Sequence, residues 1–167
     1  MSIANKLVEG NKNVVRMAWD TLGNLPLGDR AFSKLVGLMA PYTGSVGARV
    51  VELRPDYAKV VLRDRWGVRN HLTSVHAIAL ANLAELTGNV ALAYTIPDDA
   101  RFIVAGFDIE YLAKARGDIT AITDQELPRT ADKREYPVVV EMFDRKGTLV
   151  ARATLRTLVG PKKSKAN

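Results

Sequence analysis

Residues 72–94 read LTSVHAIALANLAELTGNVALAY, and the fold turns on how this stretch is read. Alanine stands at 77, 79, 81, 84, 91 and 93, interleaved with Ile78, Leu80, Leu83, Leu86, Val90 and Leu92. Thr73 or Ser74 is a natural N-cap, so the stretch predicts a helix over 74–93. Its apolar residues run all the way round, the pattern of a helix buried on every side. About 20 such residues would also cross a bilayer. Against that, His76, Asn82, Glu85 and Asn89 lie inside the stretch, and strand-like runs flank it. A core helix held by a sheet is expected, with no membrane span.

Upstream, residues 46–54 and 57–65 are rich in Val and Leu about the turn Arg54-Pro-Asp56. Ala58, Val60 and Leu62 alternate with Lys59 and Arg63, which marks a strand with one wet face. Downstream, Ile103, Ala105, Phe107, Ile109, Tyr111, Ala113 and Ala115 share one parity over 101–115, and Gly117-Asp118 turns the chain into 119–127. Tyr136, Val138, Val140 and Met142 then share a face, Asp144-Arg-Lys-Gly147 turns, and Leu149, Ala151, Ala153 and Leu155 return. Four consecutive antiparallel strands with short turns are expected. At the N-terminal end, Ile3, Leu7, Val14, Ala18 and Leu22 form the stripe of one helix, ended by Gly23-Asn-Leu-Pro26. Phe32, Leu35, Val36 and Met39 form a second, closed by Pro41 and Gly44. These two helices read as a lid or clasp. The expected organisation is a helical extension over 1–43, an α+β domain over 44–159 and a basic disordered tail over 160–167.

The 167 residues suit one domain, and 47% hydrophobic with 25% charged residues exclude wholesale disorder. Without cysteine there is no disulfide framework, thiolate nucleophile or Cys-ligated metal, and His71 and His76 are the only histidines. No metal and no cofactor are expected. Lys6, Glu9, Lys12, Arg16 and Asp20 interrupt the first twenty residues, so no signal-peptide core is read there and the cytoplasm is the expected compartment. The net charge is +6, partly from Lys162, Lys163 and Lys165. Only Arg63, Arg65 and Arg69 approach a basic stripe, and their spacing suits the exposed face of a strand. A nucleic-acid partner is not expected; a small phosphate-bearing anion suits this charge as well as a polymer does.

Glu85 is the only charged residue between Leu72 and Pro97. A carboxylate in an apolar helix is costly unless it is paired, hydrated or neutralised, and enzymes keep bases and nucleophiles in such places. With Asn82 at i−3 and Asn89 at i+4 it forms a narrow polar stripe, which suits a wet face, an interface or a cleft. His76 stands in the first turn, and Asn70 in the loop before it, where a structural backbone bond is the ordinary role.

Taken together, the pattern Asn70-x5-His76-x8-Glu85 resembles the hotdog-fold acyl-CoA thioesterases. The likeness is to their phenylacetyl-CoA thioesterase-like (PaaI-like) and 4-hydroxybenzoyl-CoA thioesterase-like branch. In that family a loop Asn or Gln precedes His-Gly-Gly at the helix start, and an Asp or Glu follows nine residues after the His. Phe107-Asp-Ile-Glu-Tyr-Leu-Ala-Lys-Ala-Arg116-Gly117-Asp118-Ile119 is similar to the family's third strand, its turn and the start of the fourth. The resemblance covers roughly residues 44–159 and departs from the family at Ala77-Ile78, which stand where it has Gly-Gly.

The resemblance implies a hotdog fold, with an antiparallel sheet of about six strands wrapped around the central helix. It implies hydrolysis of an acyl-CoA or acyl-carrier-protein thioester, with Glu85 as general base or nucleophile. Backbone amides near His76 and Ala77 would form the oxyanion site, Asn70 would orient water or substrate, and no cofactor is needed. It further implies a homodimer or homotetramer in which Glu85 of one subunit faces Asn70 and His76 of the other. Asn82 and Asn89 are the candidate cleft lining, and Lys114 and Arg116 the candidate cations for CoA phosphates. The Ala- and Leu-rich helix favours aliphatic acyl chains, with Tyr94, Phe107 and Tyr111 as possible rings. The alternative is a non-catalytic hotdog module that binds acyl thioesters or a protein partner. A hotdog dehydratase or hydratase fits less well, because the glycine- and proline-rich His loop associated with those enzymes is missing.

Overall fold

A long helix made of Ala and Leu needs a concave surface to cover it, and the Val-rich strand runs supply one. In the computed structural model, which describes residues 13–162, the helix α4 (Ala77–Thr95) lies against one six-stranded antiparallel sheet. The strands are β1 (Arg49–Arg54), β2 (Tyr57–Leu62), β3 (Ala100–Tyr111), β4 (Ile119–Asp124), β5 (Arg134–Phe143) and β6 (Leu149–Pro161). Their spatial order is β1-β2-β4-β5-β6-β3. Three helices precede them: α1 (Val14–Leu22), α2 (Gly28–Met39) and α3 (Pro41–Ser45). This is the α+β hotdog arrangement. Leu83 and Leu92 are fully enclosed on α4, facing Val60, Val138, Val140 and Leu155 of the same core. Gly88 lets the helix settle closely: a Cβ there would lie 3.2 Å from both Leu155 Cδ2 and Val138 Cγ1. α4 is long and apolar enough to cross a membrane by length and composition, but most of that length is packed inside the fold.

Several sequence expectations are corrected. α4 begins at Ala77 with His76 as its N-cap, not at Ser74. Thr73 adopts a left-handed φ of 56°, Ser74 is bonded to Asn70, and Val75 bridges to Arg69, so none of the three can be helical. In β3 a bulge between Val104 and Gly106 shifts the alternation. Phe102 and Val104 before it, and Phe107 and Ile109 after it, pack on the core, while Ile103 is exposed. β3 pairs with β6 and not with β4, so residues 112–118 cross the molecule instead of forming a hairpin. β2 stops at Leu62, which leaves Arg63, Arg65 and Arg69 in a loop containing a short 3-10 turn, Trp66–Val68. β6 continues through Gly160 and Pro161, opposite Arg101 and Ala100, into the segment read as a tail. Ile3 and Leu7 of the first helical stripe, and Lys163 and Lys165, lie outside the described residues.

The N-terminal helices are built into the core. Phe32 of α2 is 1% exposed and meets the Trp19 ring edge-on at 5.0 Å. Ser33 Oγ accepts the Val50 amide at 2.9 Å, covering part of the β1 edge. α1 clasps the far end of α4, where the last carbonyls of a helix lack partners. Arg16 donates to Tyr94 O at 2.9 Å and to Ile96 O at 2.6 Å, and Asn13 Nδ2 donates to Ala93 O. The short α3, absent from the sequence reading, takes a hydrogen bond from Asn82 Nδ2 to Tyr42 O at 3.2 Å. The helix is therefore not buried on every side. Ile78, Ala81, Glu85 and Asn89, at i, i+3, i+7 and i+11, form a line left partly or wholly open.

Leu83→Ala is expected to cost about 2–5 kcal/mol, the range for emptying a fully enclosed leucine site, whereas Ile78→Ala should stay within roughly 0.5 kcal/mol. Chemical denaturation of the two variants measures the contrast, and equal losses would contradict this placement of α4.

Candidate functional site

The start of α4 is organised by a hydrogen-bonded loop. Asn70 Oδ1 accepts the Leu72 amide at 2.9 Å, the Ser74 amide at 3.3 Å and the Ser74 hydroxyl at 3.2 Å. Its carbonyl is committed to the turn, which leaves its amide group as the end able to meet a substrate. The His76 amide donates to Val68 O and the Val75 amide to Ala115 O, both at 2.8 Å. His76 Nδ1 accepts the Ile78 amide at 3.1 Å, so a neutral ring carries its proton on Nε2. Three of the amides nearest the helix start, those of Val75, His76 and Ile78, are thus already used. The Ala77 amide and the exposed His76 Nε2–H are the donors left for an oxyanion. Tyr111 OH donates to Ala77 O at 3.1 Å, and burial pushes the pKa of that hydroxyl up, which keeps it a donor.

Glu85 stands about two and a half turns further along, about 13 Å from His76 in helix rise. It is exposed and, among the described residues, makes no hydrogen bond or ion pair. Asn82, 5% exposed, spends its amide on Tyr42 O, and its Oδ1 is buried without a partner. Asn89 Oδ1 is buried without a partner as well. Buried acceptors of this kind are uncommon and costly, and these two lie about a turn on either side of Glu85.

One chain therefore gathers Asn70, His76 and Ala77 at the helix start, and Asn82, Glu85 and Asn89 at a second place on the same open face. Lys114 and Arg116 join the first group, because Ala115 between them holds the Val75 amide. Both are exposed, and they lie past the end of β3, not in it. Ile78, where the resembled family has glycine, is 54% exposed and faces solvent, not the core. Tyr94 is drawn away from this end by its hydroxyl bond to Asp20 at 2.8 Å. Among the described residues no group of His, Asp and Glu is placed to hold a metal ion.

Beneath the loop lies a clamp that no local pattern announces. Asp64 accepts Arg69 Nε at 2.6 Å through one oxygen and the Gly117 amide at 3.0 Å through the other. Asp118 accepts the Asp64 amide at 2.9 Å and Arg145 at 2.8 Å. The Arg69 guanidinium holds the Asp64 carboxyl below the usual carboxylate range, and Arg145 does the same to Asp118.

A family model described as a domain of unknown function, DUF4442, matches residues 28–159. The chain belongs to the DUF4442 family. Solved structures share its fold. One is a structural-genomics target, 34% identical, with a TM-score of 0.78 over 88% of this chain and 98% of its own. A second, from Pseudomonas aeruginosa, is a protein of unknown function named "Probable Thioesterase". It is 23% identical, with a TM-score of 0.71 over 82% of this chain and 97% of its own. A thioesterase from Haemophilus influenzae is 14% identical, with a TM-score of 0.69 over 87% and 99%. No curated protein matches this DUF4442 chain significantly. What the chain shares with the two proteins named thioesterases is the hotdog framework around α4.

The clamp titrates with a definite sign. Because the folded-state pKa of Asp64 is lowered, its contribution is complete above the unfolded value of about 3.9 and is lost as pH falls through the folded value. Asp64→Asn should lower stability by about 1 kcal/mol at neutral pH through the loss of the Arg69 ion pair and of a charged acceptor for Gly117. The melting-temperature gap to the unsubstituted protein should hold from neutrality to about pH 5 and close below about pH 4. A gap independent of pH would contradict the ionised clamp.

Proposed function

We propose that this chain is a cytoplasmic acyl-CoA thioesterase whose site is shared between two copies. The observation that carries this reading is the solvated, unpaired Glu85 on an otherwise apolar helix, flanked by two buried Asn oxygens without donors. Support comes from a fold shared with proteins named thioesterases and from the free Ala77 amide at the helix start. In this mechanism the thioester carbonyl oxygen rests on the Ala77 amide and His76 Nε2–H, where the helix dipole favours the developing negative charge. Glu85 of the other copy removes a proton from water as the water oxygen attacks the carbonyl carbon. Collapse of the tetrahedral adduct breaks the C–S bond and releases the acid and the CoA thiol. Alternatively the carboxylate attacks directly, expels the thiolate and leaves a mixed anhydride that water cleaves. Asn70, through its amide, orients the water or the substrate. Lys114 and Arg116 meet CoA phosphates, and the aliphatic wall of α4 takes an alkyl chain. A carrier-protein thioester would undergo the same chemistry.

Distance and the sheet edges support the sharing of the site. Some 13 Å along one helix is too far for His76 and Glu85 of one chain to serve a single carbonyl. The β1 edge is partly covered by α2, whereas β3 ends the sheet and, among the described residues, no strand pairs its outer edge. An open edge twelve residues long invites pairing with its own copy. Light scattering should therefore give twice 18.3 kDa or a higher even multiple; a stable 18.3 kDa species at micromolar concentration would contradict the shared site.

Chemistry is tested by release of CoA from a panel of acyl-CoAs. Glu85→Gln should lower turnover about a hundredfold or more, the scale for losing a positioned base, with smaller losses in His76→Ala and Asn70→Ala. Undiminished turnover in Glu85→Gln would discard the mechanism. A second reading, a non-catalytic acyl-thioester-binding module, draws on Ile78, whose side chain stands where a glycine would leave the helix start open. Tight binding of acyl-CoA without any CoA release would favour it.

A further inference from the structure

Beside the helix start, α2, α3, the start of β1 and the end of β2 enclose an open cavity of about 910 Å³. Arg30, Lys34, Arg49 and Arg63 line it, together with Leu38 and Pro41, and no Asp or Glu does. Arg49 is paired with Asp29 at 3.1 Å. Arg63 also feels the Asp118 carboxylate, whereas Arg30 and Lys34 form no ion pair among the described residues; the net positive lining raises the local concentration of anions.

Next to it stands Trp66, 90% exposed. The other tryptophan, Trp19, packs on Phe32. Trp66 does not hang on a loose loop. Its 3-10 turn is closed by Val68 N donating to Arg65 O and Arg69 N donating to Trp66 O, and anchored by the Arg69–Asp64 pair. Arg65 folds back to donate to Ser45 O at 3.1 Å, and Ser45 lines the cavity. Gly67 makes room for that fold, since a Cβ there would lie 2.6 Å from Arg65 Nη1, and Gly47, at a φ of 63°, supplies the left-handed turn beside it. The indole therefore stands in water on a fixed turn whose neighbour Arg65 is tied to the cavity wall at Ser45.

We infer that this cavity and Trp66 hold the phosphorylated nucleotide end of CoA, the adenine stacking on Trp66 and the phosphates resting on Arg30, Lys34 and Arg63. The inference rests on the acyl-CoA reading above and narrows it, because a carrier-protein thioester carries phosphopantetheine without adenine. Aromatic stacking is tolerant of base identity and needs an exposed face, while guanidinium forks suit phosphate oxygens. This placement replaces Lys114 and Arg116 as the phosphate contacts, because the pantetheine arm nearer the thioester carries no charge.

Fluorescence of a Trp19→Phe variant, in which Trp66 is the sole indole, tests this directly. CoA and adenosine 3′,5′-bisphosphate should quench it saturably, inorganic pyrophosphate should compete without quenching, and Arg30→Ala with Lys34→Ala should abolish saturation. In steady-state assays Trp66→Ala should raise KM for acyl-CoA about tenfold, leave kcat nearly unchanged, and leave hydrolysis of acyl-pantetheine unaffected. No quenching by either nucleotide, or a blue shift that grows with protein concentration alone because a second copy covers Trp66, would overturn the inference. Saturable quenching without CoA release would keep this site and remove the hydrolase reading. Hydrolysis with unchanged KM in Trp66→Ala would do the reverse.

Discussion

Nineteen residues of α4 carry a single charge, and enclosing the rest while keeping that charge wet dictates much of the structure. The sheet curves around one side of the helix, and Gly88 allows the close approach to β5 and β6. α1 and α3 lie on other sides of α4, and each does so through polar groups that the helix would otherwise leave unmatched. Arg16 and Asn13 take the carbonyls at its C-terminal end, and Tyr42 O takes the amide of Asn82. At the other end His76 caps Ile78, and the Asn70 turn presents the cap. Between its two ends, what remains open is a line of side chains from Ile78 through Ala81 and Glu85 to Asn89.

That central constraint was legible from composition alone, because an all-round apolar stretch has few ways to avoid water. The strand runs were legible for the same reason: their period of two separates a wet face from a dry one. Parity failed in β3, where one inserted residue at Ala105 reverses which side chains face inward, and nothing in the residue types announces a bulge there. Strand partners were legible where a turn joins neighbours, as in β1–β2 and β5–β6, and hidden at β3. The pairing of β3 with β6 is non-local, and the turn-like Gly117-Asp118 belongs to a crossing connection held by Ala115 and Asp64.

The site was legible to the extent that isolated polar residues in an apolar run stand out. Glu85, Asn82 and Asn89 were visible in that way, and the helix start at His76 and Ala77 nearly so. Which amides stay free was not visible, since it depends on Val68 O taking one and the His76 ring taking another. The Asp64–Asp118 clamp joins residues 54 positions apart, beyond the reach of any local pattern. The sequence reading counted Arg63 among the residues of an exposed strand face; the end of β2 at Leu62 instead turns it into the wall of a cavity.

The open line on α4 and the free edge of β3 are the two features on which the proposed shared site rests. Mixing two impaired variants tests this most directly. If Glu85 of one copy serves His76 of its mate, Glu85→Gln and His76→Ala proteins, dissociated together and reassembled in equal amounts, form mixed dimers with one intact site each. CoA release should then recover to about a quarter of the unsubstituted level, as random pairing about a two-fold axis requires. Activity no greater than the average of the two variants alone would contradict a site built from two chains.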